Sequence, residues 1–147
     1  MRWLQLVLVL VITVSCKNDE IYYTHNNTTI KRVDTDGKST FYYLKKGVEN
    51  GKIWAKYSGI NDGFRGYLKF EENGKVFLLS GDGYFQTKDI DTTLFNFKEI
   101  GAADEPGDYP NVCEIWFPFE TEISWNQKSK TKVKVVYPAP AMRSVLK

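Results

Sequence analysis

From Tyr22 onward, apolar positions recur with a period of two far more often than with a period of 3.6. Phe64, Gly66, Leu68 and Phe70 alternate with Arg65, Tyr67 and Lys69, and Val133, Val135 and Tyr137 alternate with Lys132 and Lys134. Such alternation, in a chain rich in β-branched and aromatic residues, predicts strands with one wet and one dry face. The predicted strands cover 28–34, 40–45, 52–58, 64–70, 75–80, 84–87, 94–100, 112–119 and 132–137, with 121–125 as a further candidate. In 112–119 the odd positions Cys113, Ile115, Phe117 and Phe119 make an apolar face, whereas Trp116 stands opposite beside Glu114. That strand has apolar contacts on both sides or exposes a tryptophan.

Turn chemistry organises these strands. Asn50-Gly51 and Asn73-Gly74 are the pair favoured where both central residues of a two-residue hairpin need positive φ, and Asp36-Gly37 is the next best match. Three hairpins are therefore expected, and connections this short make successive strands antiparallel neighbours. The fold class is all-β: an antiparallel meander that either closes into a barrel-like arrangement or folds as a two-sheet sandwich, the meander order favouring the barrel. Glu-Asn-Gly-Lys at 49–52 and again at 72–75 has a spacing close to that of hairpin repeats of the MORN type, and two copies read as two similar hairpins. The stretch 101–111, with Asp104, Glu105, Asp108, two prolines and two glycines, is expected to be a long acidic surface loop.

The N-terminus obeys a different pattern. Arg2 is the only charge in residues 1–15, and an apolar run from Leu4 to Val14 is broken only by Gln5 and Thr13. A charged start and a short apolar core describe an export signal, since a membrane-spanning helix needs about 18 or more apolar residues. The run ends in Thr13-Val14-Ser15-Cys16, which resembles the bacterial lipobox, with Thr13 in place of the usual Leu. The resemblance implies cleavage before Cys16 and lipidation of its thiol. One acyl chain holds a protein to a bilayer only marginally, at about 0.8 kcal/mol per buried methylene, whereas the several chains of a bacterial lipoprotein hold it stably. Lys17-Asn18-Asp19-Glu20 is similar to the export signal of Bacteroidetes surface lipoproteins, the other reading being a solvated charged tether. The expected organisation is a signal peptide over 1–15, a lipid-anchored polar tether over 16–27, an all-β domain over 28–137 and a flexible tail over 138–147.

Length and charge narrow the function classes. The chain has 147 residues, enough for one domain. With 20 Lys+Arg against 18 Asp+Glu and no long basic run, electrostatics alone give no reason to expect nucleic acid or an acidic polymer. If Cys16 carries lipid, Cys113 has no disulfide partner, and its apolar surroundings make it a small buried hydrophobe.

Few residues suit catalysis. His25 is the one imidazole, in a polar stretch expected to be linker, and nothing near Cys113 completes a nucleophilic motif. Two cysteines and one histidine are too few for zinc, and neither Asp34-x-Asp36-Gly37 nor the acidic loop follows EF-hand spacing. No metal or cofactor is expected. Glu114, Glu120 and Glu122 are the obvious carboxylates for a glycosidase pair, but any β protein of this size has such pairs. Asp91-Thr92-Thr93 resembles a Bacteroidetes O-glycosylation motif, with a turn as the plainer reading. The remaining resource is aromatic: Trp54, Trp116 and Trp125, with Tyr42, Tyr43, Tyr57 and Tyr67, are candidates for a ligand surface, core packing being the plainer reading for most of them, and the acids Asp104, Glu105 and Asp108 are candidates beside them. The expected function is a non-catalytic binding module held at the envelope by its lipid, more at the cell surface than on the periplasmic face, with an envelope protein or glycan as partner. The alternative is a small β-barrel carrying an apolar ligand.

Overall fold

The computed structural model describes residues 19–35, 38–56, 64–81, 84–117 and 130–137. Among these residues ten strands form two sheets: β1 (Asp19–His25), β2 (Thr28–Thr35), β3 (Lys38–Lys45), β4 (Val48–Lys56), β5 (Phe64–Phe70), β6 (Val76–Ser80), β7 (Tyr84–Lys88), β8 (Phe95–Glu99), β9 (Val112–Phe117) and β10 (Lys134–Val136). The six-stranded antiparallel sheet has the order β10-β1-β2-β3-β4-β7, and the four-stranded sheet the order β8-β6-β5-β9. Among the described residues no closed barrel forms, so the barrel-like expectation gives way to two sheets.

The core explains why. Ile21, Tyr23, Ile30, Phe41 and Ile53 from the larger sheet meet Leu68, Phe70, Leu78, Phe95, Cys113 and Ile115 from the smaller one in a single buried cluster. The larger sheet thus turns an apolar face inward and a more polar face out, as the period-two pattern requires, whereas β5, β6 and β9 of the smaller sheet carry apolar residues on their outer face as well. This packed layer occupies the place where a carrier barrel would need a hollow. One pairing departs from the antiparallel rule: β6 and β8 run parallel, from Val76 opposite Phe95 to Ser80 opposite Glu99. The intervening β7 joins the other sheet, so the chain crosses the core twice before returning beside β6. Phe85 of β7 stacks on Phe97 of β8 at 4.1 Å between ring centroids, sealing that crossing.

Two expectations about local structure change. Residues 19–25, placed in the polar tether, form β1, with Ile21 and Tyr23 fully buried. Residues 19–25 therefore belong to the β domain rather than to a tether ahead of Thr28; Asn26, with φ of 52°, helps make the turn into β2. The second concerns Asn50-Gly51, which lies inside β4. The β3–β4 turn is instead Lys46-Gly47, both at positive φ (53° and 80°), as a two-residue hairpin loop of the primed type requires. Burial overrides turn propensity here. The observed register sets Phe41 opposite Ile53, both wholly buried, and a bulge between Tyr42 and Leu44 absorbs the offset. Gly51 sits at that irregularity with φ of 94°, and a Cβ there would lie 2.5 Å from the Asp89 carbonyl oxygen.

The Asn73-Gly74 turn does join β5 to β6, as a three-residue loop closed by the Glu71 amide on the Lys75 carbonyl (2.7 Å). The two Glu-Asn-Gly-Lys segments are thus one turn and one strand interior, not a pair of hairpins. Asp36-Gly37 and the tail from Pro138 lie outside the described residues; β2 and β3 on either side of the former pair antiparallel up to Thr35 opposite Lys38. Among the described residues, no helix is long and apolar enough to cross a membrane.

Candidate functional site

The stretch from Gly101 to Asn111 crosses the outer face of the four-stranded sheet. It opens with a 3₁₀ turn, Ala102–Asp104, and is pinned at its far end where the Phe70 amide donates to the Asn111 carbonyl and Asn111 Nδ2 donates to the Phe70 carbonyl (2.9 and 2.7 Å). Beneath it lies a second small core of Tyr67, Leu79, Ile100 and Val112, with Phe77 packed against them. Tyr67, on the outward side of β5, is therefore buried by the loop rather than exposed to water.

The acidic residues of the loop do not converge. Glu105 turns inward, ion-paired with Arg65 and accepting a hydrogen bond from the Tyr67 hydroxyl (3.1 Å). With Arg65, Tyr67, Asp108 and Glu114 it lines a cleft of about 190 Å³ on one side of the Pro106 ridge. Asp104 faces a wider hollow of about 560 Å³ on the other side, walled by Lys69, Lys98 and Tyr109 over a floor of Phe77, Leu79 and Ile100. Tyr109 is 60% exposed at its rim.

Electrostatics in the smaller cleft centre on Glu114, which alternation places on the outward face of β9, where the loop buries it to 6% exposure. Burial raises its carboxyl pKa above the ordinary value, while Arg65, whose Nε lies 3.5 Å away, and the Trp116 indole pull it down. The Tyr67 phenol is likewise raised by burial, against the pull of Arg65. Arg65 also lies over the rings of Tyr67 and Trp116, 5.7 and 5.9 Å from their centroids. One guanidinium thus organises two carboxylates and two rings. Of this cluster the sequence points to Tyr67 only as one of several ligand-surface aromatics and does not single out Arg65, because alternation shows only that both point outward.

The tryptophans are dispersed. Trp116 borders the Arg65 cluster, whereas Trp54 lies on the outer face of the other sheet, donating from Nε1 to Gln86 Oε1 (2.6 Å). The two stand on opposite sides of the domain and form no common platform. Trp125, Cys16, Glu120 and Glu122 lie outside the described residues. His25 is part of β1 and tilts against Phe70 at 5.8 Å between ring centroids. Cys113 is fully buried in the core. Asp34 is bound to Arg32 and Ser39, and among the described residues no group of three or more His, Cys, Asp or Glu side chains is placed to hold a metal ion. Asp91 accepts from the Thr93 amide and hydroxyl (2.9 and 2.6 Å), which lower its pKa, and leaves Thr92 exposed at a turn.

No family model, no curated protein and no solved structure matches this chain.

Proposed function

We propose that this chain is a bacterial lipoprotein, tethered through a lipidated Cys16 to the outer membrane, more at the cell surface than on the periplasmic face, whose two-sheet domain is a non-catalytic binding module. The lipobox-like Thr13-Val14-Ser15-Cys16 supports the anchor. Asp19 begins β1 three residues after Cys16, a link of at most about 11 Å at full extension, so the anchored domain would stand close to the bilayer.

The observation that carries the binding reading is the loop held across the four-stranded sheet by Glu105, Arg65 and Tyr67. It creates a concave, charged surface on a rigid scaffold, the usual arrangement of a recognition loop. Its carboxylates suit a protein or glycan partner that offers hydrogen-bond donors or a cation. Native mass spectrometry of the lipoprotein taken from its own membranes in mild detergent tests this. A stoichiometric partner lost on neutralising Asp104, Glu105 and Asp108 is the expected result; a partner retained by that variant removes the loop from the reading. Cys16→Ser is expected to leave the membrane fraction after a high-salt wash, and continued partition with membranes overturns the anchor. Protease shaving of intact cells decides the leaflet.

A further inference from the structure

The outer face of the six-stranded sheet collects lysines that are scattered in sequence. Lys31 of β2, Lys38 of β3, Lys52 of β4 and Lys88 of β7 stand on it, interleaved with Tyr42 and Trp54. Lys31 and Lys52 flank the Tyr42 ring at 4.6 and 6.0 Å, and Lys38 and Lys52 flank the Trp54 ring at 4.9 and 5.8 Å. Lys52 is directly opposite Lys88 in register, an arrangement that costs stability in a sheet. Glu49 pairs with Lys31, but among the described residues no carboxylate forms an ion pair with Lys38, Lys52 or Lys88. Protection of a sheet edge accounts for a lysine on β7, which is the edge strand, and for none on β2, β3 or β4.

We propose that this face binds an extended acidic polysaccharide, bearing carboxylate or sulfate groups along its length, through Lys38, Lys52 and Lys88, with Lys31 and its partner Glu49 at the border. Three features favour that partner over other anions. Lys31, Lys52 and Lys88 lie in one cross-strand row, with Tyr42 between the first two and the last two directly adjacent, so their separations are one to two strand spacings of about 4.8 Å, the scale of one to two sugar units of an extended glycan. Tyr42 and Trp54 have ammonium groups against them, so the rings hold lysines in place rather than offering free faces on which nucleic-acid bases would stack. Trp54 is also tied down by Gln86 and flanked by charge, unlike an aromatic residue that enters a bilayer. The face lies on the opposite side of the domain from the loop cleft, so the two sites can fail independently.

The test is calorimetric titration of the full chain, in neutral detergent, with alginate oligomers, using neutral dextran, oligo-dT and phosphatidylglycerol bicelles as comparisons. Alginate is expected to bind with an affinity that falls as salt is added, and dextran not to bind. K52Q/K88Q is expected to weaken alginate binding at least tenfold while its melting temperature stays level or rises, because the substitution relieves repulsion. Trp54→Leu is expected to weaken it by a smaller factor. Absence of alginate binding, unchanged affinity in K52Q/K88Q, or equal or tighter binding of oligo-dT or the bicelles would overturn the proposal. Neutralising Asp104, Glu105 and Asp108 is expected to leave alginate binding intact, which separates this surface from the loop.

Discussion

Arg32 of β2 donates from Nη1 to the backbone carbonyl of Trp116 on β9, 3.1 Å away, joining the two sheets through a fully buried guanidinium. Asp34 makes that burial tolerable. Its carboxylate receives Arg32 Nε and Nη2, each at 2.7 Å, and Ser39 Oγ at 2.5 Å, so the charge is paired and hydrogen-bonded where an isolated one would be costly.

Removing one member of this pair should cost far more than removing both. Asp34→Ala is expected to destabilise the domain by about 3–5 kcal/mol, because it strands a buried guanidinium. The double variant R32M/D34A should recover much of that loss. Denaturant unfolding of the three proteins checks the order, and equal losses in single and double variants would contradict it.

Glu114 predicts a pH effect of the opposite sign from an ordinary paired carboxylate. Its folded-state pKa is raised by burial, so the folded protein holds its proton more tightly than the unfolded chain does. The neutral carboxyl is fully accommodated below the unfolded value, and stability falls as pH rises from there through the folded value. Glu114→Gln is therefore expected to raise the melting temperature at pH 7 and to flatten the decline above pH 4.5. A lower melting temperature at pH 7 would mean that the Arg65 contact outweighs burial.

The Arg65–Glu105 pair is more exposed and should act locally. Both side chains are more than one-third accessible, and such pairs are worth about 0–1 kcal/mol. Glu105→Gln is expected to leave global unfolding nearly unchanged while hydrogen exchange across 101–111 speeds up. Unchanged exchange would show that Asn111 and the apolar floor hold the loop unaided.

Two glycines separate backbone conformation from crowding. Gly47 has φ of 80° and open space around its missing Cβ, whereas Gly51 has φ of 94° and the Asp89–Ile90 backbone against it. Gly47→Ala is expected to cost about 1–2 kcal/mol, the left-handed penalty alone. Gly51→Ala should cost more, since the β4 backbone or the 89–90 segment must also move. Equal costs would indicate that the segment gives way freely.

Much of the fold was legible in the chain. The strand over Phe64–Phe70 coincides with its alternation, and the inward set Gly66, Leu68 and Phe70 is buried as the pattern requires. Asn50-Gly51 reads as a turn but lies inside β4, because a favourable turn pair is worth less than burying Phe41 opposite Ile53. β1 reads as tether in the sequence because its short polar-flanked run, Ile21-Tyr22-Tyr23, becomes a strand only when β2 and β10 pair on either side of it.

By itself the sequence determined the strand character of the domain, which side of most strands is dry, and the acidic character of the loop, since these depend on residue type and a period of two. Only the tertiary structure decided that the sheets stack rather than close, that Arg65 and Tyr67 capture Glu105, and that Lys31, Lys38, Lys52 and Lys88 share one face. A net charge of +2 gives no hint of such a cluster. Charge density on a surface depends on which strands become neighbours, and that is settled by long-range pairing in which β4 skips β5 and β6 to meet β7.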